Sequence, residues 1–239
     1  MHQMTPTGEN RILHSLSPND LSLLRPQLKL IDLKQGAVLQ EPGAPLDYVY
    51  FPTRGMVSIL ALMRNGEAIE TAVTGREGVV GGAIGSEGSL SFGQSMVQIA
   101  GSALRIGAKP FLNALEECSG LRRLVNRYQS IVLLQAQQSA ACHAFHQVEA
   151  RLCRWLLHAS DATESDMVNL TQEFLSHMLG VQRTSVTLTA HALQKSGLIT
   201  YSRGKVKILD RRGVEECACE CYAVLRREID KAIGEDRSA

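Results

Sequence analysis

The chain has few aromatic residues, no long apolar run, and no cysteine before Cys118. Only 5% of its 239 residues are aromatic, with a single Trp. No apolar stretch approaches the roughly 20 residues that a membrane-spanning helix needs, so no membrane partner is expected. The opening MHQMTPTGEN has no basic region followed by an apolar one, which argues against secretion and for a cytoplasmic location. Six cysteines without compact, regular spacing fit a reduced compartment better than a disulfide scaffold. There is no phosphate-binding loop, no nucleophile–base set and no zinc-hydrolase motif. An enzyme is therefore the weakest reading, and no cofactor or bound metal is expected.

What is present is unevenly distributed. The composition, 44% hydrophobic and 21% charged, is that of a globular chain long enough for one large domain or two ordinary ones. The net charge of +1 hides a division. Residues 1–120 carry 9 Lys/Arg against 11 Asp/Glu, residues 171–213 carry 7 against 2, and residues 214–239 carry 4 against 7. Basic charge thus concentrates in one segment, as neutralisation of a phosphate backbone requires.

That segment also carries the strongest local pattern. In LTQEFLSHMLGVQRTSVTLTAHALQKSGLI, Thr171 can cap a short helix whose apolar positions are Phe174, Leu175 and Met178. Gly180 permits a tight turn, and a second helix follows with Val186, Leu188, Ala190 and Leu193 available to bury, ended by Gly197. Two short helices about a glycine turn make a helix-turn-helix. The second helix opens with Gln182, Arg183, Thr184 and Ser185, with Thr187 close behind, and these side chains can reach base edges in a major groove. Residues Ile199 to Leu209 then read as a β-hairpin wing whose Arg203, Lys205 and Lys207 are placed to grip phosphates. The expected partner is double-stranded DNA.

The rest of the chain has two grammars. After short helices between Asn10 and Leu28, Gly- and Pro-punctuated strands run to Ile106: Leu30–Leu33, Ala37–Gln40, Tyr48–Pro52, Gly55–Met63, Ala68–Val73 and Met96–Ile106. Asn65-Gly66 marks a hairpin, and so many short strands imply an antiparallel roll or sandwich. Pro110–Leu115 suggests a short helix. Leu121 to His158 contains neither Gly nor Pro and predicts one long helix or a kinked pair. Leu124, Tyr128, Ile131, Gln135, Gln138, Cys142 and Phe145 form a heptad-like seam on it, read as a dimer contact. SDATESD, residues 160–166, reads as a polar connection. A final helix spans about 211–233, with Val214, Cys217, Ala218, Cys221, Leu225 and Ile229 as its buried stripe.

The whole order resembles the Crp/Fnr family of bacterial transcription regulators. The resemblance is carried by Gly36-Ala37-Val38-Leu39 through Gly43, by Tyr48-Val49-Tyr50-Phe51, by Phe145 to Leu152, and above all by residues 170–199. It implies an α+β fold with three parts: a cyclic-nucleotide-binding-like β-roll over 1–120, a dimerisation helix and hinge over 121–158, and a winged helix-turn-helix over 159–239. It also implies a homodimer that binds a palindromic site, with RNA polymerase and a small-molecule effector as further partners, and it makes Arg183 the reader of a guanine.

Departures from the family pattern narrow the expectation. The cyclic-AMP branch uses a Gly-Glu-Leu and an Arg-Ser-Ala segment to hold ribose and cyclic phosphate. The corresponding stretches here are Gly81-Gly82-Ala83 and Gln94-Ser95-Met96, and both charged groups are missing. Ala136 and Gln137 match poorly the Thr-Ser pair that meets the adenine, so no cyclic-AMP response is expected. Thr184 and Leu188 stand where the family often has Glu and a second Arg, which implies a different half-site. The iron–sulfur branch uses N-terminal cysteines, absent here. Two cysteine groupings remain. In Cys217-x-Cys219-x-Cys221, a helix would turn Cys219 away from the other two, which favours ordinary packing over a thiol switch or metal site. Cys142, His146, Glu149 and Cys153 share a helix face with zinc-binding residue types, and packing is again favoured. The competing functions are a thiol- or metal-responsive regulator and an interaction module that no longer binds DNA.

Overall fold

The structure, a computed structural model, describes residues 10–85, 88–202 and 204–234. Two short helices, α1 (Arg11–His14) and α2 (Pro18–Leu24), open it, capped by the Asn10 and Ser17 side chains. The strands β1 (Lys29–Leu33), β2 (Val38–Gln40), β3 (Tyr48–Leu62), β4 (Ala68–Thr74) and β5 (Gln94–Gly107) follow. They form one antiparallel sheet in the order β1-β5-β3-β4, with β2 also paired to β5. The Asn65-Gly66 turn joins β3 to β4 as the sequence predicts.

One strand differs from its expected form. The two segments expected at Tyr48–Pro52 and Gly55–Met63 are a single strand that pairs with β5 along its length. The register shifts between Pro52 and Val57, so the Pro52–Gly55 interruption is a bulge rather than a turn. Gly55 has φ +81°, and a Cβ there would stand 2.4 Å from the Ile99 carbonyl oxygen. Only glycine lets the two backbones approach so closely.

After α3 (Ala108–Glu117), the long helical region is a kinked pair, α4 (Ser119–Phe145) and α5 (Val148–Thr163), broken at His146 and Gln147. The heptad-like seam of α4 does not face outward. Leu124, Tyr128, Ile131, Gln135 and Cys142 are buried within this chain, against the roll and the C-terminal helices. Gln135 is buried as a bridge to β4: it accepts from Val73 N–H (2.9 Å) and donates to the Val73 carbonyl (3.0 Å). Its amide therefore satisfies strand backbone rather than setting the register of a second helix. Phe145, at the end of the seam, is exposed.

The expected polar connection at 160–166 is partly helix, because α5 runs on to Thr163 and Glu164 ends it in the left-handed conformation. A short strand, β6 (Met167–Asn169), then leads into α6 (Gln172–Leu179), α7 (Arg183–Lys195) and the hairpin β7 (Ile199–Ser202) and β8 (Lys205–Ile208). The sheet order β6-β8-β7 gives the wing a third strand. The last expected helix is two, α8 (Arg211–Cys217) and α9 (Cys221–Ile233), with Ala218 extended between them. Cys217 is exposed rather than buried, and Cys219 is turned inward by the break.

Two cores hold these parts together. One lies between the roll, α1, α3 and α4, and takes in Ile233 from the end of α9. The other joins Met56, Leu60 and Ile99 of the roll to α5, α6, α7 and the wing, with Trp155 at its centre. Position 159 lies inside α5, whose Leu152, Trp155, Leu156 and Ala159 belong to this second core. The end of the chain also returns to the first half: α9 packs on α4, and its Asp230 pairs with Arg11 at 2.9 Å.

Candidate nucleic-acid interface

The helix-turn-helix is assembled by the signals its sequence carries. The Thr171 hydroxyl accepts from Phe174 N–H at 3.2 Å and starts α6. Gly180, at φ +58°, ends α6, with Val181 N–H donating back to the Ser176 carbonyl. Leu175, Met178, Leu179, Val186, Ala190 and Leu193 are buried between α6, α7 and α5. Burial of a Val or Leu side chain contributes roughly 1.5–3 kcal/mol, enough to fix the pair as a unit.

Such packing leaves the other side of α7 in solvent. Gln182 stands at its N-terminus without a side-chain capping bond; Gln182, Arg183, Thr184, Leu188 and His191 are exposed, while Ser185 and Thr187 are half-buried. The first turn of α7 contains no acidic residue. Thr187 donates to the Arg183 carbonyl at 3.0 Å and Thr189 to the Ser185 carbonyl at 2.8 Å, so neither hydroxyl proton is free for a partner without rotation. Leu188 is 72% exposed, an apolar side chain held out at the middle of a polar face. It offers a contact for a thymine methyl but no hydrogen bond.

In the wing, Val206 and Ile208 point inward while Lys205 and Lys207 alternate with them on the exposed face. Arg203 lies outside the described residues. One residue the sequence reading did not single out is Tyr201. Burial pushes its phenol pKa up, the nearby Arg183 guanidinium pulling the other way, and its backbone N–H donates to Gln194 Oε1 at 2.8 Å. Tyr201 and Gln194 thereby tie β7 to α7 and set the wing beside the head of the helix. Alternation in the hairpin placed Tyr201, but only the fold shows it next to Arg183.

The unit is anchored to α5, where Arg151 donates to the Leu179 carbonyl at 2.9 Å, and to the roll, where a Cβ on Gly180 would lie 2.9 Å from Ile69 Cδ1 of β4. Beneath this contact Glu70 is buried. It accepts from Ser58 Oγ (2.5 Å) and Trp155 Nε1 (3.4 Å), and burial raises its pKa to about 7.

Three glycines of the stretch that resembles a cyclic-nucleotide site are closely packed against neighbours. A Cβ on Gly78 would stand 2.1 Å from the Tyr128 hydroxyl, and one on Gly82 would meet Gln129, Val79 and Val125. Gln40 covers Gly81 and accepts from Ser95 Oγ at 3.0 Å, while Gln94 donates to Glu41. A separate cavity of about 420 Å³ lies between the roll, α5 and α9, lined by Arg76, Glu77, His158, Asp161, Arg211 and Arg226 among others.

The chain thus joins a β-roll, a spine helix and a winged helix-turn-helix. Residues 150–217 match the family model of the Crp-like helix-turn-helix domain. The transcriptional regulator SdrP of Thermus thermophilus is 26% identical over 196 residues, covering 79% of this chain and 93% of that protein. The structure of FixK2 from Bradyrhizobium japonicum has a TM-score of 0.68 at 14% identity and covers 80% of this chain and 98% of its own. A regulator of the Crp/Fnr family from Eubacterium rectale has a TM-score of 0.65 at 16% identity, with 86% and 96% covered. Residues 150–217 thus form a Crp-like helix-turn-helix domain, and the chain shares its fold with a solved regulator of the Crp/Fnr family. Among the described residues, no helix is long and apolar enough to cross a membrane.

Proposed function

We propose that this chain acts as a homodimer that binds a palindromic DNA site and regulates transcription in response to a signal other than cyclic AMP. The observation that carries the reading is the exposed, acid-free head of α7, with Gln182, Arg183 and Thr184 in solvent beside the lysines of β8. Arg183 reads a guanine through the O6 and N7 acceptors, which its planar guanidinium can bind bidentately. Gln182, Ser185 and Thr187 add contacts, and Lys205 and Lys207, with Arg203, hold phosphates and set register.

The dimer reading now rests on the outer face of α4. Asn126, Ser130, Leu133, Gln137, Ala140 and Ala144 are all exposed and recur at alternating spacings of 4 and 3. Small residues and one leucine at such spacing suit close approach of a second helix. With the roll packed on the opposite face, a partner α4 can pair there and set two recognition helices side by side. The close packing at Gly78, Gly81 and Gly82 and the missing arginine support a signal other than cyclic AMP, because a buried phosphate without a cation loses its charge-assisted pair. RNA polymerase and a different small effector enter as partners through the family resemblance.

Selection of bound sites from random duplex DNA tests the function. The expected product is an approximately palindromic motif with half-sites about one helical turn apart. Absence of any enriched motif, in reduced and oxidised protein alike, would sink it and favour an interaction module. Light scattering of the parent and of Leu133→Glu tests the dimer: the parent should be dimeric and the variant monomeric. Dimers that survive the change place the contact elsewhere.

A further inference from the structure

Four side chains from distant parts of the sequence converge where the spine helix meets the C-terminal domain. Cys142 lies in the last turn of α4 and His146 directly follows that helix; Cys219 comes from the break between α8 and α9, and Cys221 opens α9. Their sulfur and nitrogen atoms all lie within 4.8 Å of one another. Cys142 Sγ is 3.6 Å from Cys219 Sγ, and Cys221 Sγ is 3.5 Å from His146 Nδ1. A tetrahedral zinc with bonds of about 2.3 Å to sulfur and 2.0–2.1 Å to nitrogen has edges of roughly 3.8 Å between sulfurs and 3.5 Å between sulfur and nitrogen. The two observed separations are close to those edges.

The surroundings also suit a metal. His146 turns Nδ1 to the cluster and its other nitrogen, Nε2, to Glu220 Oε2 at 3.2 Å. A carboxylate on the far nitrogen is how ligating histidines are oriented and their tautomer fixed. Gln138 Nε2 donates to Cys221 Sγ at 3.0 Å, a bond a thiolate accepts well. Arg151 and Arg154, both nearly buried, act electrostatically on Cys142 and Cys219. The Nε atoms of both arginines have no hydrogen-bond partner among the described residues. Three thiolates around a divalent ion leave one negative charge, and these guanidiniums are placed to balance it. Glu149 is exposed and, like Cys153 and Cys217, lies outside the cluster.

We propose that Cys142, His146, Cys219 and Cys221 bind one zinc ion in a closed tetrahedral site that clamps α4 to the α8–α9 joint. On binding, the three thiols release three protons to solvent and the neutral imidazole donates through Nδ1. Four protein ligands leave no position for water or substrate, so the ion is structural. Thiolates with one imidazole select zinc over the hard divalent cations. The site stands whether or not the chain reads DNA.

The test uses the full chain, purified reduced and without chelator. Elemental analysis should find about one zinc per chain. Titration of the stripped protein with cobalt should give sulfur-to-cobalt charge transfer and the intense visible bands of a tetrahedral site. Cys217→Ser should keep full occupancy, while Cys142→Ser and Cys221→Ser should reduce it at least about tenfold, and Glu220→Gln should weaken zinc affinity about 10–100-fold. A weak octahedral cobalt spectrum in the parent protein would overturn the site without reliance on any variant's folding. So would zinc retained equally by Cys142→Ser and Cys221→Ser, or metal-free protein with a Cys142–Cys219 disulfide on peptide mapping.

Discussion

The two sides of the winged-helix domain are built on opposite principles. The outer face, from Gln182 along α7 to Lys205 and Lys207, makes few bonds to the rest of the molecule and leaves its polar groups in water. The inner face, at Trp155, Arg151 and Leu179, is buried, and bonds tie its indole to Glu70 of β4 and its guanidinium to the Leu179 carbonyl. The contrast separates two jobs. A surface that reads a partner must keep its donors unspent, whereas a joint that positions the surface must spend them. Substitutions on one side should alter recognition and leave folding intact; on the other side the reverse should hold.

The largest expected effect is at the joint. Trp155→Ala removes a fully buried indole and one partner of Glu70, and should cost about 3–5 kcal/mol in urea unfolding. If Trp155→Ala unfolds like the parent, the joint is not the stability centre.

The next effect depends on pH. The carboxyl of Glu70 has a folded pKa of about 7 against an ordinary 4.5, raised by burial and opposed by its bonds to Ser58 and Trp155 and by Arg154. A raised carboxyl pKa means that the folded state holds its proton more tightly than the unfolded state. The resulting stability is complete below about pH 4.5 and is lost as pH rises through 7. The difference between pH 4.5 and pH 8 should be about 2–4 kcal/mol, and Glu70→Gln should flatten it. Equal slopes in parent and variant would show that Glu70 is already ionised in the fold.

On the outer face the effects are smaller and of another kind. Arg183→Ala should cost about 1–3 kcal/mol of binding at one base position and relax preference there. Its unfolding midpoint should stay within about 0.5 kcal/mol of the parent, as for other exposed changes. A variant that still discriminates at every position would remove Arg183 from the readout. Smallest is Lys207→Ala, expected to weaken all sequences alike and to lower the salt slope by about 1. A change in sequence preference instead would move Lys207 from phosphate to base.

Local rules were enough where an element's neighbours are also its neighbours in sequence. Thr171, Gly180 and the apolar spacing of α6 and α7 predict the helix-turn-helix, and the structure contains it with those caps. The seam on α4 shows the limit. Periodicity states that one face is buried, not what buries it, and here the roll and α9 occupy the face that reads as a dimer contact. The bulge at Gly55 was missed because a glycine after proline suggests a turn, while the pairing partner that keeps the strand continuous lies some forty residues away. The cysteine cluster is legible only in part: helical spacing puts Cys142 beside His146 but does not join them to Cys219 and Cys221. Helical spacing was applied across Cys217–Cys221, and only the extended Ala218 brings Cys219 round to Cys142, 77 residues distant in sequence.

The return of α9 has a mechanical consequence. The C-terminal half is joined to the rest at α5 and again through α9, where Ile233 enters the roll's core and the Ser15 hydroxyl donates to its carbonyl. A body on a single tether can swing in any direction, whereas one held at α5, at the Gly180–Ile69 contact with β4 and through α9 cannot turn without breaking one of these contacts. Any signal that reorients the head of α7 must therefore first release α9 or the α6–β4 contact.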